Sequence, residues 1–180
     1  MTLQGKTVLI TGGTGGIGQQ TAIGIAKLGA QVVVTGRDKA RGEAGVAAIQ
    51  RASGNPHVTL LLGDLSLQAG VRQVATAFTA NHARLDVLIN NAGLLETQRR
   101  LTSDGIEADF AVNVIAPFLL THLLRDVLAA SRPARVITVS GGMPQPIDLA
   151  NLQAERRFVG LPHYSHTKSA MHAMSISFAE

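Results

Sequence analysis

Short apolar runs rich in Val, Ile and Leu recur along the chain. Each closes on a glycine or polar turn and gives way to a longer stretch whose apolar residues return every three or four positions. The runs TVLI, VVV, TLLL, DVLI and RVITV show no alternation of polar and apolar residues. Strands of that kind need apolar cover on both faces, which a parallel sheet between helices supplies. The pattern predicts strand Thr7–Thr11, helix Gly16–Leu28, strand Gln31–Thr35, helix Lys39–Ala52, strand Val58–Leu62, helix Gln68–Asn81 and strand Val87–Asn90. A long helix from about Ser103 to Ala130, bent near Pro117, follows; then come strand Arg135–Ser140 and a helix from about Leu161 to the end. Strands alternating with helices through short connections give an α/β doubly wound parallel sheet, here as a single domain over residues 1–180. Ligands of such sheets bind beyond the strand C-termini, where strand order reverses. Gly12, Arg37, Asp64, Asn90, Ser140 and, through its following loop, Tyr164 all fall at that edge.

The first strand runs directly into Thr11-Gly12-Gly13-Thr14-Gly15-Gly16-Ile17-Gly18 and then into a helical pattern closed by Gly29. Strand, glycine turn and helix is the context that makes a glycine cluster a phosphate-binding candidate. Gly12 permits the tight turn, Gly16 lets backbone amides approach a pyrophosphate, and Gly18 lets the helix pack close. The positive end of the helix and its unpaired amides then hold the anion. A flexible glycine loop without ligand is the competing reading.

The only tyrosine, Tyr164, lies four residues before Lys168 in a segment that opens after Pro162 and reads as helix. Four residues is about one helical turn, so phenol and ammonium share a face. A phenol ionises near pH ~10 and needs a neighbouring positive charge to exchange protons at neutrality. A cation at ~4 Å, at an effective dielectric of ~20, supplies roughly 4 kcal/mol, or about three pKa units. The spacing alone also fits a solvated helix face.

These motifs, with threonine ahead of Gly-x-x-x-Gly-x-Gly, resemble the short-chain dehydrogenase/reductase superfamily, and the resemblance continues in order over essentially the whole chain. Asp64 resembles the aspartate at the adenine, and Asn90-Asn91-Ala92-Gly93 the signature that closes over the cofactor. Asn113 resembles the helix asparagine supporting a proton relay, and Ser140, Tyr164 and Lys168 complete the set. The wording around Asn113 and Asn151-Leu152-Gln153 looks most like the retinol-dehydrogenase-like branch. The resemblance implies a Rossmann-type fold and catalysis by Tyr164, Lys168, Ser140 and Asn113. It implies cofactor contacts at Gly12, Thr14, Gly16, Ile17, Gly18, Arg37, Asp64, Leu65, Asn90, Ala92, Gly93, Tyr164 and Lys168. The family commonly has two serines where this chain has Ser140-Gly141-Gly142, so the serine's place falls on Ser140 or on Gly141; a one-residue gap in the next loop favours Ser140. Family members also continue through a sixth and seventh strand, whereas Glu180 follows Lys168 by only twelve residues. Either the sequence omits a remainder, or the molecule is truncated at the C-terminus and lacks those last strands.

After the second strand comes Thr35-Gly36-Arg37-Asp38. An acidic residue there would bond the adenosine ribose hydroxyls, whereas an arginine pairs with a 2′-phosphate. By resemblance the acidic position falls on Gly36 and is empty, which favours NADP, with NAD as the alternative. Asp38 is the residue that could bring a carboxylate to the ribose after a one-residue shift.

Composition narrows the partners. An apolar fraction of 46% fits a globular protein. No apolar stretch approaches the ~20 residues of a membrane span, and the N-terminus lacks the features of a secretory leader, so the expected compartment is cytoplasmic. The absence of cysteine excludes disulfides and thiol chemistry. The net charge of +4 comes from basic residues scattered among acids without interleaved aromatics, which argues against nucleic acid and for phosphorylated ligands. The six histidines lack ligand spacing, apart from His163 and His166 flanking Tyr164, so no metal is expected. The leading expectation is an NADP-preferring oxidoreductase of an alcohol or carbonyl, assembled as a homodimer or homotetramer. A dinucleotide-binding fragment without turnover and a scaffold stand as the alternatives.

Overall fold

The computed structural model of the chain describes residues 2–141, 143 and 145–178. Gly142, Pro144 and the last two positions of the predicted final helix lie outside the described residues. Five parallel strands, β1 (Thr7–Ile10), β2 (Gln31–Gly36), β3 (Val58–Leu62), β4 (Val87–Asn90) and β5 (Arg135–Thr138), form one sheet in the order β3-β2-β1-β4-β5. This is the Rossmann-type arrangement. Strand order reverses at β1, between β2 and β4, and Val8 pairs with Val32 on one side and Val87 on the other.

Helices cover both faces of the sheet except at the edge strand β5, where Arg135, Val136 and Ile137 are exposed although the run RVITV reads as covered on both sides. On one face, α1 (Gly16–Lys27) and α2 (Lys39–Ser53) close over Val8, Ile10, Val32, Val34 and Ile49. On the other, α3 (Gln68–Asn81) and the helices after β4 close over Leu9, Val33, Phe78, Leu88, Leu120 and Leu124. Consecutive residues of β1 serve opposite cores, which is why the strand reads as unbroken apolar sequence.

The end of the sheet away from the glycine turn is held by charge. Asp86, 3% exposed, takes hydrogen bonds from Lys6 Nζ at 2.9 Å, Thr7 N–H at 3.0 Å, and Arg84 Nε and Nη2 at 2.6 Å each. Burial alone would raise its pKa, but the Arg84, Thr7 and Lys6 bonds outweigh it and hold the carboxyl well below the usual range.

The predicted helix from Ser103 to Ala130 is the main correction. Residues 101–107 form a tight turn closed by Thr102 N–H to Ile106 O at 2.8 Å, with Gly105 at φ +73°. Helix begins only after Glu107, whose carboxylate caps α4 (Ala108–Phe110). A π turn over Ala111–Ile115 follows, then α5 (Ala116–Leu123) and α6 (Arg125–Ala130). Pro117 has no N–H to give the carbonyl four residues back, and the helix widens just before it, Ala116 N–H reaching Ala111 O. The final helix, α7, spans Gly160–Ser177.

Candidate functional site

The glycine turn is built by side chains around it as much as by its glycines. Gly12 adopts φ +64°, a conformation L side chains resist, and its N–H donates to Thr35 Oγ1 at 3.1 Å. Thr11 Oγ1 accepts both the Asn91 and Ala92 amides at 3.0 Å, and Asn91 Nδ2 donates to Thr11 O at 2.8 Å. A methyl group on Gly18 would collide with Gly12 O and Asn91 Nδ2. The start of α1 therefore lies directly against the turn. Its cap residue Gly15 offers no side-chain hydrogen bond, and the first turn carries no acid. The first-turn amides of α1, whose residues line the groove, thus have no capping acid from their own helix, as a phosphate cradle requires.

From this turn a groove of about 750 Å³ crosses the C-terminal edge of the sheet. Of the predicted residues, Gly12, Thr14, Gly16, Ile17, Gly18, Arg37, Asp64, Leu65, Ala92, Gly93, Ser140, Tyr164 and Lys168 line it. Asn90 and Asn113 do not. Asn90 is 4% exposed and its amide donates inward to Thr121 Oγ1 at 3.2 Å. At the far end Arg37 and Arg41 both line the groove. Asp38 Oδ1 is occupied in capping α2, accepting Arg41 N–H at 2.8 Å. Asp64 Oδ1 accepts from the Ser66 amide at 2.9 Å and hydroxyl at 2.8 Å.

At the opposite end α7 presents Tyr164 and Lys168. Lys168 is 5% exposed, its Nζ lies 5.6 Å from the centre of the Tyr164 ring, and it donates to Val139 O at 3.3 Å. Burial pushes the ammonium's pKa below its ordinary value. Asn113, fully buried, accepts the Leu94 amide at 2.8 Å and donates to Leu94 O and Thr167 Oγ1, both at 2.9 Å. Gly93 sits between these groups: a methyl there would stand 3.4 Å from Lys168 Nζ and 3.5 Å from Asn113 Oδ1. Ser140 is exposed on the groove wall. Gly141 lies against the phenol, and a methyl at that position would stand 3.3 Å from Tyr164 Oη.

Several contributors lay outside the expected site residues or were named only as part of a motif. Thr11, Thr35 and Asn91 act by bracing the turn, a role residue type alone does not reveal. Arg41 and Ser66 follow Arg37 and Asp64 closely, and their position at strand exits was the available signal. Glu107, Asp109 and His163 form a buried cluster behind Tyr164. Desolvation, with the nearby Glu107 charge, raises Asp109 to about 6. Gln153 accepts Glu107 N–H at 2.9 Å and so ties its loop to the start of α4.

A sequence-family profile described as short chain dehydrogenase matches residues 6–180. The chain is 41% identical over 167 residues to dehydrogenase/reductase SDR family member 12 of Bos taurus, covering 91% of this chain and 52% of that protein. It is 38% identical over 170 residues to retinol dehydrogenase 12 of Mus musculus, covering 93% and 54% respectively. The chain thus spans about half the length of these curated relatives. Among solved structures it is similar to a metagenomic short-chain oxidoreductase in complex with NADP, at TM-score 0.81 and 27% identity, covering 99% of this chain and 76% of that one. It is also similar to a Pseudomonas aeruginosa RhlG/NADP active-site complex, at TM-score 0.77 and 31% identity, covering 99% and 67%.

Proposed function

The chain belongs to the short-chain dehydrogenase/reductase family, in its retinol-dehydrogenase-like branch, and from that premise we propose that it interconverts an alcohol and a carbonyl with NADP(H). The observation that carries the reading is the opening of the Tyr164–Lys168 pair into the same groove as the uncapped start of α1. When bound, NADP(H) would supply or accept the hydride. In this reading the α1 amides with Gly12, Thr14, Gly16, Ile17 and Gly18 hold its pyrophosphate. Asp64 and Leu65 border the adenine, and Ala92 and Gly93 the nicotinamide half. Asn90 supports that segment from beneath. Arg37 and Arg41 bind the 2′-phosphate, and the engagement of Asp38 Oδ1 as a helix cap supports NADP over NAD. The two similar structures with NADP point the same way.

Tyr164 gives its proton to the carbonyl oxygen or takes one from the alcohol. Lys168, held by Val139 O beside the phenol ring, meets the nicotinamide ribose. Ser140 hydrogen-bonds the substrate oxygen. Asn113 fixes Leu94 and Thr167 and thereby the wall along which water resupplies protons. The protein works as a cytoplasmic homodimer or homotetramer on a small molecule. No described helix is long and apolar enough to cross a membrane.

NADPH fluorescence enhancement and oxidation across a carbonyl panel test the proposal. Tyr164→Phe is expected to abolish turnover while NADPH still binds; turnover at the wild-type rate overturns the assignment. Binding without oxidation by the wild-type chain would instead support a nucleotide-binding role, and no binding a scaffold.

A further inference from the structure

One buried cluster of ionisable side chains lies outside the groove and takes no part in the chemistry above. Glu107, Asp109 and His163 are 0%, 0% and 3% exposed, and Glu107 Oε2 lies 2.7 Å from His163 Nε2. The Glu107 carboxylate also accepts the Asp109 amide at 3.1 Å and the Phe110 amide at 2.9 Å. Burial raises its pKa, but the bonds from His163 and these amides prevail and hold it below the ordinary value. An ionised Glu107 makes His163 Nε2–H the donor.

His163 immediately precedes Tyr164. One turn later Thr167 Oγ1 accepts from Asn113 Nδ2 at 2.9 Å and donates to Tyr164 O at 2.7 Å. The segment 107–113 therefore grips α7 on both sides of the tyrosine. The same segment holds the loop across the groove: Asp109 accepts Glu96 N–H at 3.0 Å, and a methyl on Gly160 would stand 2.6 Å from Glu96 O.

We propose that Glu107 and His163 are positioning residues for Tyr164, the buried hydrogen bond fixing the height and rotation of α7 so that the phenol faces the substrate oxygen. Apolar packing is non-directional and would let the helix rotate, whereas a carboxylate shared among three donors admits one setting. A displacement of about 1 Å at a reacting group can lower a rate by up to ~10²-fold. The proposal rests on Tyr164 as the proton donor.

The sequence supplies a clean probe, because with one tyrosine and no tryptophan the intrinsic emission comes from Tyr164 alone. His163→Leu removes the donor, Glu107→Gln removes the charge, and His163→Gln keeps an N–H at the same reach. In His163→Leu and Glu107→Gln, kcat is expected to fall about tenfold or more with KM for NADPH nearly unchanged. Acrylamide quenching of the Tyr164 emission is expected to rise in both. His163→Gln is expected to restore both readouts, which a purely structural role would not do selectively. Wild-type quenching and kcat in folded His163→Leu overturn the proposal. Where that variant does not fold, altered quenching in folded His163→Gln overturns it instead. If none of the carbonyls in the panel supports NADPH oxidation by the wild-type chain, the functional reading fails while the quenching series still decides the positioning role.

Discussion

Replacing Asp109 by asparagine should stabilise the protein, with a pH dependence that identifies the cause. Asp109 has no exposed surface and stands beside Glu107, so burial, reinforced by that like charge, lifts its pKa from 3.8 to about 6. A folded-state value above the unfolded one means the proton is bound more tightly in the fold. The associated stability is fully present below pH 3.8 and is lost as the pH rises through about 6. At pH 8 the ionised carboxylate costs at most about 3 kcal/mol, or up to roughly 10 °C in Tm for a chain of this size. The substituted amide carries no charge, and its carbonyl can still accept the Glu96 amide now held at 3.0 Å. Thermal unfolding followed by far-UV circular dichroism between pH 4 and 8 would measure the difference. D109N should gain on wild type as the pH rises, with the gap levelling off above about pH 7. Glu107 has the opposite sign: its lowered pKa contributes stability above its ordinary range that is lost in acid, so its loss should not be mistaken for the Asp109 effect. A D109N variant that is no more stable than wild type at pH 8, or whose gain is independent of pH, would refute the argument.

Arg37→Ala should weaken NADPH binding by about tenfold or more while leaving NADH nearly unchanged, as titration calorimetry would show; equal losses for both would remove the 2′-phosphate role. Gly18→Ala drives a methyl into Gly12 O and should destabilise the chain by about 1–3 kcal/mol while abolishing NADPH binding, read by denaturant unfolding and fluorescence. Ser140→Ala should lower kcat by about tenfold to a hundredfold with NADPH binding intact; an unaffected kcat would shift attention to Gly141, which lies against the phenol.

The sheet and its glycine turn were legible because they depend on local pattern. The runs in β1, β2 and β4 cannot be solvated on either face, and Gly12 has few conformational alternatives at φ +64°. The Tyr164–Lys168 pair was legible for the same reason, since one helical turn fixes its geometry. What failed depended on contacts distant in sequence. The turn before α4 owes its form to Glu107, whose partner His163 lies 56 positions away. Asn90 carries the expected residue type, but its neighbour Thr121 draws the amide inward, which strand periodicity does not reveal. The bend near Pro117 was foreseen, but not the π turn just before it, in which Ala116 N–H reaches Ala111 O.

Asp86 gathers Lys6, Arg84 and the Thr7 amide at the rim where β1 and β4 begin, whereas the nucleotide groove lies where they end. Anchorage and the proposed chemistry thus occupy opposite poles of the same two strands. Changes in the loops at the groove end therefore leave the Asp86 contacts at the other end of these strands untouched.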